Sequence, residues 1–260
     1  MVIRTGWTRQ QLLIAFNLYC QLSFGQLDSR TPIIIRYAAL IGRTPSALAM
    51  KLSNIASLDP AITSTGRRGL AGASAADKAM WIEMESDWDS FAIETERAIE
   101  ALGTDANIEF AIPSEPALVE EDIDYTGSNK QVLTTTRVGQ NFFRRAVLSA
   151  YQYKCCITGL AVPKLLVASH IVPWRDDANN RLNPKNGLCL SMLHDKAFDV
   201  GVITITENMT IMVSRKQASA DDYFFNSALL AYDGKSIASP EKFAPHQDFL
   251  AYHRQHIFSS

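Results

Sequence analysis

The segment that most restricts the fold lies between residues 165 and 199. Two apolar runs, LLVASHI and GLCLS, flank fifteen residues crowded with turn formers, VPWRDDANNRLNPKN. Short apolar runs bounded by Pro, Asn, Asp and Gly read as strands, and the stretch between them as a loop. SMLHDKAFD follows at once and reads as a short helix. This order puts His170 at the end of the first strand, Asn186 just before the second and His194 on the helix, at intervals of 16 and 8 residues. A lone histidine in an apolar strand is more often structural than chemical. Two more polar residues at fixed places in the same unit turn the question towards chemistry.

The flanks extend this unit. NFFRRAVLSAY reads as a helix that buries Phe142, Ala146, Val147 and Ala150, with Arg144 and Arg145 beside them. KCCITGL reads as a short strand and turn. GVITITENMTIMVS reads as a hairpin turning at Glu207–Asn208, and DFLAYHRQHIF as a last helix. His246, His253 and His256 read as surface or packing residues. The four cysteines, two of them adjacent at 155 and 156, suggest no disulfide framework and a reduced, cytoplasmic setting.

Residues 7 to 103 read as helices. RQQLLIAFNLYCQL has helical apolar spacing behind Thr8, a fitting N-cap. In PIIIRYAALIGRTPSALAMKLSNIASL, Gly42 fits a left-handed helix stop, Thr44 an N-cap and Pro45 a first-turn proline. Helix, glycine turn, helix is the outline of a helix-turn-helix, whose second helix would carry Ser46, Lys51 and Asn54 outward towards a DNA groove, with Arg43 beside them. TGRRGLAGASAA (65–76) reads as a loop in which Arg67 and Arg68 could meet phosphate. KAMWIEMESDWDSFAIETERAIEAL reads as one long acidic helix with Met80, Trp81, Met84, Trp88 and Phe91 near one face. The proline-containing, acidic stretch 104–129 reads as a linker. Three parts result: a helical domain over 1–103, the linker, and a second domain over 130–260.

Charge sharpens the division. The 260 residues carry a net charge of −2, which alone argues against a nucleic-acid partner. Between Glu83 and Asp124, however, there are 14 acidic residues against Arg97 alone, and between Lys130 and Lys185 nine basic residues against Asp176 and Asp177. A local basic block favours an anionic partner at that place. No apolar run approaches a membrane span, and the first residues lack the apolar core of an export signal.

The stretch CCITGL…LLVASHIVPW…NRLNPKNGLCLSMLHDKAFDVGVITI, within about residues 137–214, resembles the HNH endonuclease family with its ββα-metal finger, in its bacterial restriction-like branch. The resemblance implies an α+β fold, a helical amino-terminal domain followed by an HNH nuclease domain with flanking helices and a hairpin. It implies a metal-dependent DNA endonuclease with His170 as the general base and His194 as a metal ligand. Asn186 would either fix the loop behind His170 or ligate the metal; the Asn186-Gly187 turn pair favours the first. One common form of the motif has a ligand just before the catalytic histidine, where this chain has Ser169. Phe198, one turn past His194, cannot ligate, and Asp199 is offset round the helix, so His194 with waters, and Asn186 or Asp199 as additions, is the expected ligand set. Few protein ligands favour Mg²⁺, with Mn²⁺ or Ni²⁺ as alternatives. Cys155, Cys156 and Cys189 form no paired CxxC units, so no structural zinc is expected. Arg144, Arg145, Arg175 and Arg181 are candidate contacts to double-stranded DNA. Trp174 would pack the loop, and cutting both strands implies a homodimer. A DNA-binding regulator without catalysis, and a nuclease acting on RNA or structured DNA, are the rival readings.

Overall fold

Thr8 opens the first helix as expected. Its hydroxyl accepts from Gln11 N and the Gln11 side chain returns to Thr8 N, a closed capping box over α1 (Arg9–Gln21). The computed structural model describes residues 6–64, 72–103, 127–216 and 222–259, with side chains from 139 onward in the third stretch. They fall into two compact units, Met1–Ala146 and Val147–Ser260.

In the first unit α1 packs on α3 (Pro45–Ala56) and α6 (Trp88–Glu100), and α2 (Pro32–Leu40) packs on α3. Gly42 ends the α2 turn at φ +66°, Thr44 accepts from Ala47 N, and Pro45 opens α3. The helix-turn-helix outline is therefore present, but its outward face is not the expected one. Lys51 is buried, with its Nζ 2.7 Å from Oδ1 of the fully buried Asp77 on α5 (Ala75–Ser86). A four-carbon stem on an apolar face reads from sequence as reaching for solvent, whereas here it reaches an internal carboxylate. Arg43 is also engaged internally, donating to Gln11 Oε1 and the Gly6 carbonyl and lying over the Trp7 ring. Ser46 is exposed and Asn54 half-buried. A short helix, α4 (Pro60–Thr63), follows, capped by Asp59.

The long acidic helix is two helices. The chain breaks at Asp87, with φ −154° and ψ 87°, and the Asp87 carboxylate caps α6 by accepting from Ser90 N. Met80, Met84, Trp88 and Phe91 are buried across the break. The expected contacts of Arg67 and Arg68 lie outside the described residues, as does the linker up to residue 126.

The division between units falls within α7 (Gly127–Ala150). Phe142, Ala146, Val147 and Ala150 are buried as expected. Arg144 is buried as well, and Arg145 donates to Glu96 Oε2 at 3.1 Å. KCCITGL forms a turn and no strand: Gly159, at φ +74°, donates back to the Cys155 carbonyl. Cys155, Cys156 and Cys189 are buried thiols.

The second unit contains two antiparallel hairpins. β1 (Leu166–His170) pairs with β2 (Gly187–Ser191), Leu166 opposite Ser191 and His170 opposite Gly187. β3 (Ile203–Ile205) pairs with β4 (Ile211–Val213). Between them α8 (Met192–Asp199) lies on β1, β2 and β3. α9 (Tyr223–Ala228) follows β4, and α10 (Gln247–His256) packs on β3. This is α+β architecture. Among the described residues no helix is long and apolar enough to cross a membrane.

α10 is locked to α8 by one side chain. The His253 ring stacks on Phe198 at 3.6 Å between centroids, its Nε2–H donates to the Phe198 carbonyl, and its Nδ1 accepts from Thr204 Oγ1. The chain leaves α8 through Gly201, at φ +73°, where a Cβ would run into the Ile257 carbonyl.

Candidate active site

His170 ends β1 half-buried. Its Nε2 lies 2.8 Å from the Arg181 carbonyl. A carbonyl only accepts, so Nε2 carries the proton, and in the neutral ring the lone pair is on Nδ1. Burial lowers the ring's pKa to about 4, against the smaller opposing effect of the Arg181 carbonyl. At neutral pH the imidazole is therefore uncharged and able to take a proton at Nδ1.

The loop from 171 to 186 holds this geometry. Asn186 is buried, and its amide is spent on the backbone: Oδ1 accepts from Val172 N at 2.8 Å, and Nδ2 donates to the carbonyls of Val172 and Asn180 at 3.1 and 3.2 Å. The Asn186 carbonyl also accepts from Ile171 N. As a metal ligand Asn186 is poorly placed, since its oxygen already faces an amide hydrogen; its contacts are those of a loop brace. Asn180 is held in turn by Asp177 and Asn183.

His194 sits on α8 and is buried. Ser191 caps the helix and its hydroxyl lies 2.8 Å from His194 Nδ1, while His194 Nε2 lies 3.1 Å from the Ala228 carbonyl. By the same logic Nε2 donates to Ala228 and Nδ1 accepts from Ser191. The Tyr232 ring meets the imidazole edge-on at 5.5 Å. Burial lowers the His194 pKa, so the ring is neutral. Asp199 ends α8 with an exposed side chain. Among the described residues no group of three His, Cys, Asp or Glu side chains is arranged to hold a metal ion. Both ring nitrogens of His194 are thus engaged within the protein, and the ring could offer a donor atom to a divalent cation only by giving up the Ser191 or the Ala228 contact.

Residues 155–206, from the Cys155 turn through β3, match the family model for the HNH endonuclease. These residues form an HNH endonuclease domain. One solved structure similar to the chain is a modification-dependent TagI restriction endonuclease, at 18% identity and a TM-score of 0.34, covering 44% of this chain and 37% of that one. The chain thus spans well under half of that protein. No curated protein matches the sequence.

Within the HNH domain the structure groups His170, Asn186 and the 171–186 loop at one end of the β1–β2 hairpin, and sets His194 on the helix that covers it. Arg175 is exposed and pairs with its neighbour Asp176, at 3.3 Å. Arg181 donates from Nε to the Trp174 carbonyl and lies over the Trp174 ring. Arg144 and Arg145 are withdrawn from the surface. The sequence reading missed the carbonyls of Arg181 and Ala228, since backbone groups carry no residue-type signal. It also missed Ser191, which the Ser-x-x-His spacing before a helix could have revealed as a cap.

Proposed function

We propose that this chain is a metal-dependent DNA endonuclease of the restriction type, in which His170 is the general base. The observation that carries the reading is the Arg181 carbonyl on His170 Nε2, which leaves a neutral ring with its lone pair on Nδ1. In this reading Nδ1 takes a proton from a water that attacks the scissile phosphorus; the new P–O bond forms as the bond to the 3′ oxygen breaks, and the 3′ oxygen is protonated from solvent. Asn186 keeps the ring's supporting loop in place through Val172 and Asn180. His194 is the side chain that would hold a divalent ion, Mg²⁺ first, with Mn²⁺ or Ni²⁺ as alternatives. The ion, when bound, supplies positive charge for the phosphate and the leaving oxygen. The restriction role and double-stranded DNA as substrate rest on the family resemblance, and a homodimer is the simplest way to cut both strands.

The test is nicking of supercoiled plasmid, methylated and unmethylated, by wild type and His170→Ala with Mg²⁺ or Mn²⁺. Loss of a general base costs about 10²–10⁴-fold in rate. The wild-type rate should hold level down to about pH 6, with its acid limb nearer 4 than 6.5, because the ring protonates late. Retained nicking in a folded His170→Ala removes the base assignment.

A further inference from the structure

The His170 ring is held by more than one carbonyl, and the holders form a closed circuit. The Trp174 ring meets the imidazole edge-on at 5.6 Å. Arg181 donates from Nε to the Trp174 carbonyl at 2.9 Å, and its guanidinium carbon lies 5.2 Å above the Trp174 ring centroid. Arg181 then presents its own carbonyl to His170 Nε2 at 2.8 Å. Each of the three residues thus fixes the next.

We propose that Arg181 and Trp174 are positioning residues that set the tautomer of His170. The inference rests on the reading of His170 as the base.

The physical case is one of competition. An imidazole in water populates both neutral tautomers, so a carbonyl selects one only if it is held at the ring. The Arg181 carbonyl lies in a loop of turn formers, and two ties fix it there. One is the brace of its neighbour Asn180 by Asn186. The other is the grip of the guanidinium on residue 174, seven positions back. A charged donor on a carbonyl is stronger than a neutral one, and a cation over an indole adds to it in the same geometry. Trp174 is therefore held by Arg181 over its ring and stands perpendicular to His170, which keeps the imidazole plane from rotating away from the carbonyl. A basic residue in a loop beside a nuclease base suggests a phosphate contact. Here its Nε is already spent on the protein, on the group next to the base.

The two roles leave different traces. A phosphate contact acts on DNA affinity and on its salt dependence, and removing it reduces the salt slope by about one. A positioning residue acts on the base in the free protein, before any DNA is present.

The experiment is ring ¹⁵N spectroscopy of the full chain without DNA or metal. Wild type, Arg181→Ala and Trp174→Leu are compared, with His170→Ala used only to identify the His170 signals. Wild type should show a single neutral tautomer, with a protonated-type shift at Nε2 and a lone-pair shift at Nδ1. Arg181→Ala should move both shifts towards the averaged values of a mixed population. It should lower the plasmid-nicking kcat by about tenfold to a hundredfold, with KM and the salt slope of DNA binding unchanged. Trp174→Leu keeps the backbone acceptor but loses the ring, and should move the shifts less, in the same direction. Amide spectra check that each variant is folded, and Trp174→Leu decides the matter should Arg181→Ala not fold. Unchanged His170 tautomers in the folded variants overturn the proposal, whatever happens to activity. Weaker DNA binding with a reduced salt slope and an unchanged tautomer overturns it too and reassigns Arg181 to phosphate. Full nicking by His170→Ala instead sinks the reading beneath, an outcome the tautomer spectra do not share.

Discussion

Asn186 offers the sharpest test of how the loop is built. Replacing it with Ala removes three hydrogen bonds and strips partners from Val172 N, the Val172 carbonyl and the Asn180 carbonyl. Each bond is worth about 1 kcal/mol net, and the buried groups left behind do not readily find water, so Asn186→Ala should cost about 3 kcal/mol. In a unit of this size that lowers Tm by about 12 °C. Asn186→Asp is more informative because its shape is nearly the same. One carboxylate oxygen would face the two carbonyls that Nδ2 now serves, and only the protonated acid can donate to them. The folded-state pKa of that acid is therefore raised above the unfolded value of about 3.9. Above that value the unfolded chain has released a proton that the folded chain retains, so stability falls as pH rises, by up to about 1.4 kcal/mol per pH unit until the folded pKa is passed. Urea unfolding of wild type and both variants at pH 5 and pH 8 measures this directly. A cost below about 0.5 kcal/mol for Asn186→Ala, or an Asn186→Asp variant indifferent to pH, refutes the brace.

Three further outcomes are expected. His253 is buried with its pKa lowered to about 4 by that burial, so the unfolded chain takes up a proton first as pH falls below about 6.5; this ring should cost the second unit about 3 kcal/mol between pH 6.5 and 4, beside a comparable loss from His170, and His253→Gln should remove its share and leave that of His170 in acid unfolding curves. Lys51→Met leaves the Asp77 charge buried and unpaired by its lysine, and should destabilise the first unit by about 3–5 kcal/mol, while the double variant Lys51→Met with Asp77→Asn recovers part of this in thermal melts. If a metal binds His194 through Nε2, the Ala228 carbonyl must give way, so saturating Mn²⁺ should speed amide hydrogen exchange at Leu229 and Tyr232; unchanged exchange with a bound metal points to Nδ1 and the loss of the Ser191 contact.

Much of the fold was legible in the sequence because each signal had one physical meaning. The strands β1 and β2 were bounded by turn formers, Thr8 and Thr44 stand where caps must stand, and Gly42 takes the left-handed φ that its place demanded. The break at Asp87 was not legible, since Met80, Met84, Trp88 and Phe91 keep one apolar stripe running through it. KCCITGL was misread because Cys and Ile favour strands, whereas the Gly159 turn satisfies Cys155 first. Lys51 and Arg144 looked like cations bound for a groove; a basic residue's type does not say whether its partner is outside or within. The candidate site was legible as far as its side chains. Its two deciding acceptors, on Arg181 and Ala228, are peptide carbonyls that every residue has.

The way α8 is finished bears on the order in which the HNH domain is assembled. The helix that carries His194 ends on the Phe198 carbonyl, which receives His253, and on Gly201, whose carbonyl receives Ser259 N while Ile257 fills the space a side chain would need. Synthesis proceeds from the amino terminus, and early segments fold as they emerge. A nascent chain that has reached β4 therefore holds both strands, His170 and His194, yet lacks the groups that seat the helix between them. Until residues 253–259 are translated, the hairpin and its helix are a set of parts without a keystone.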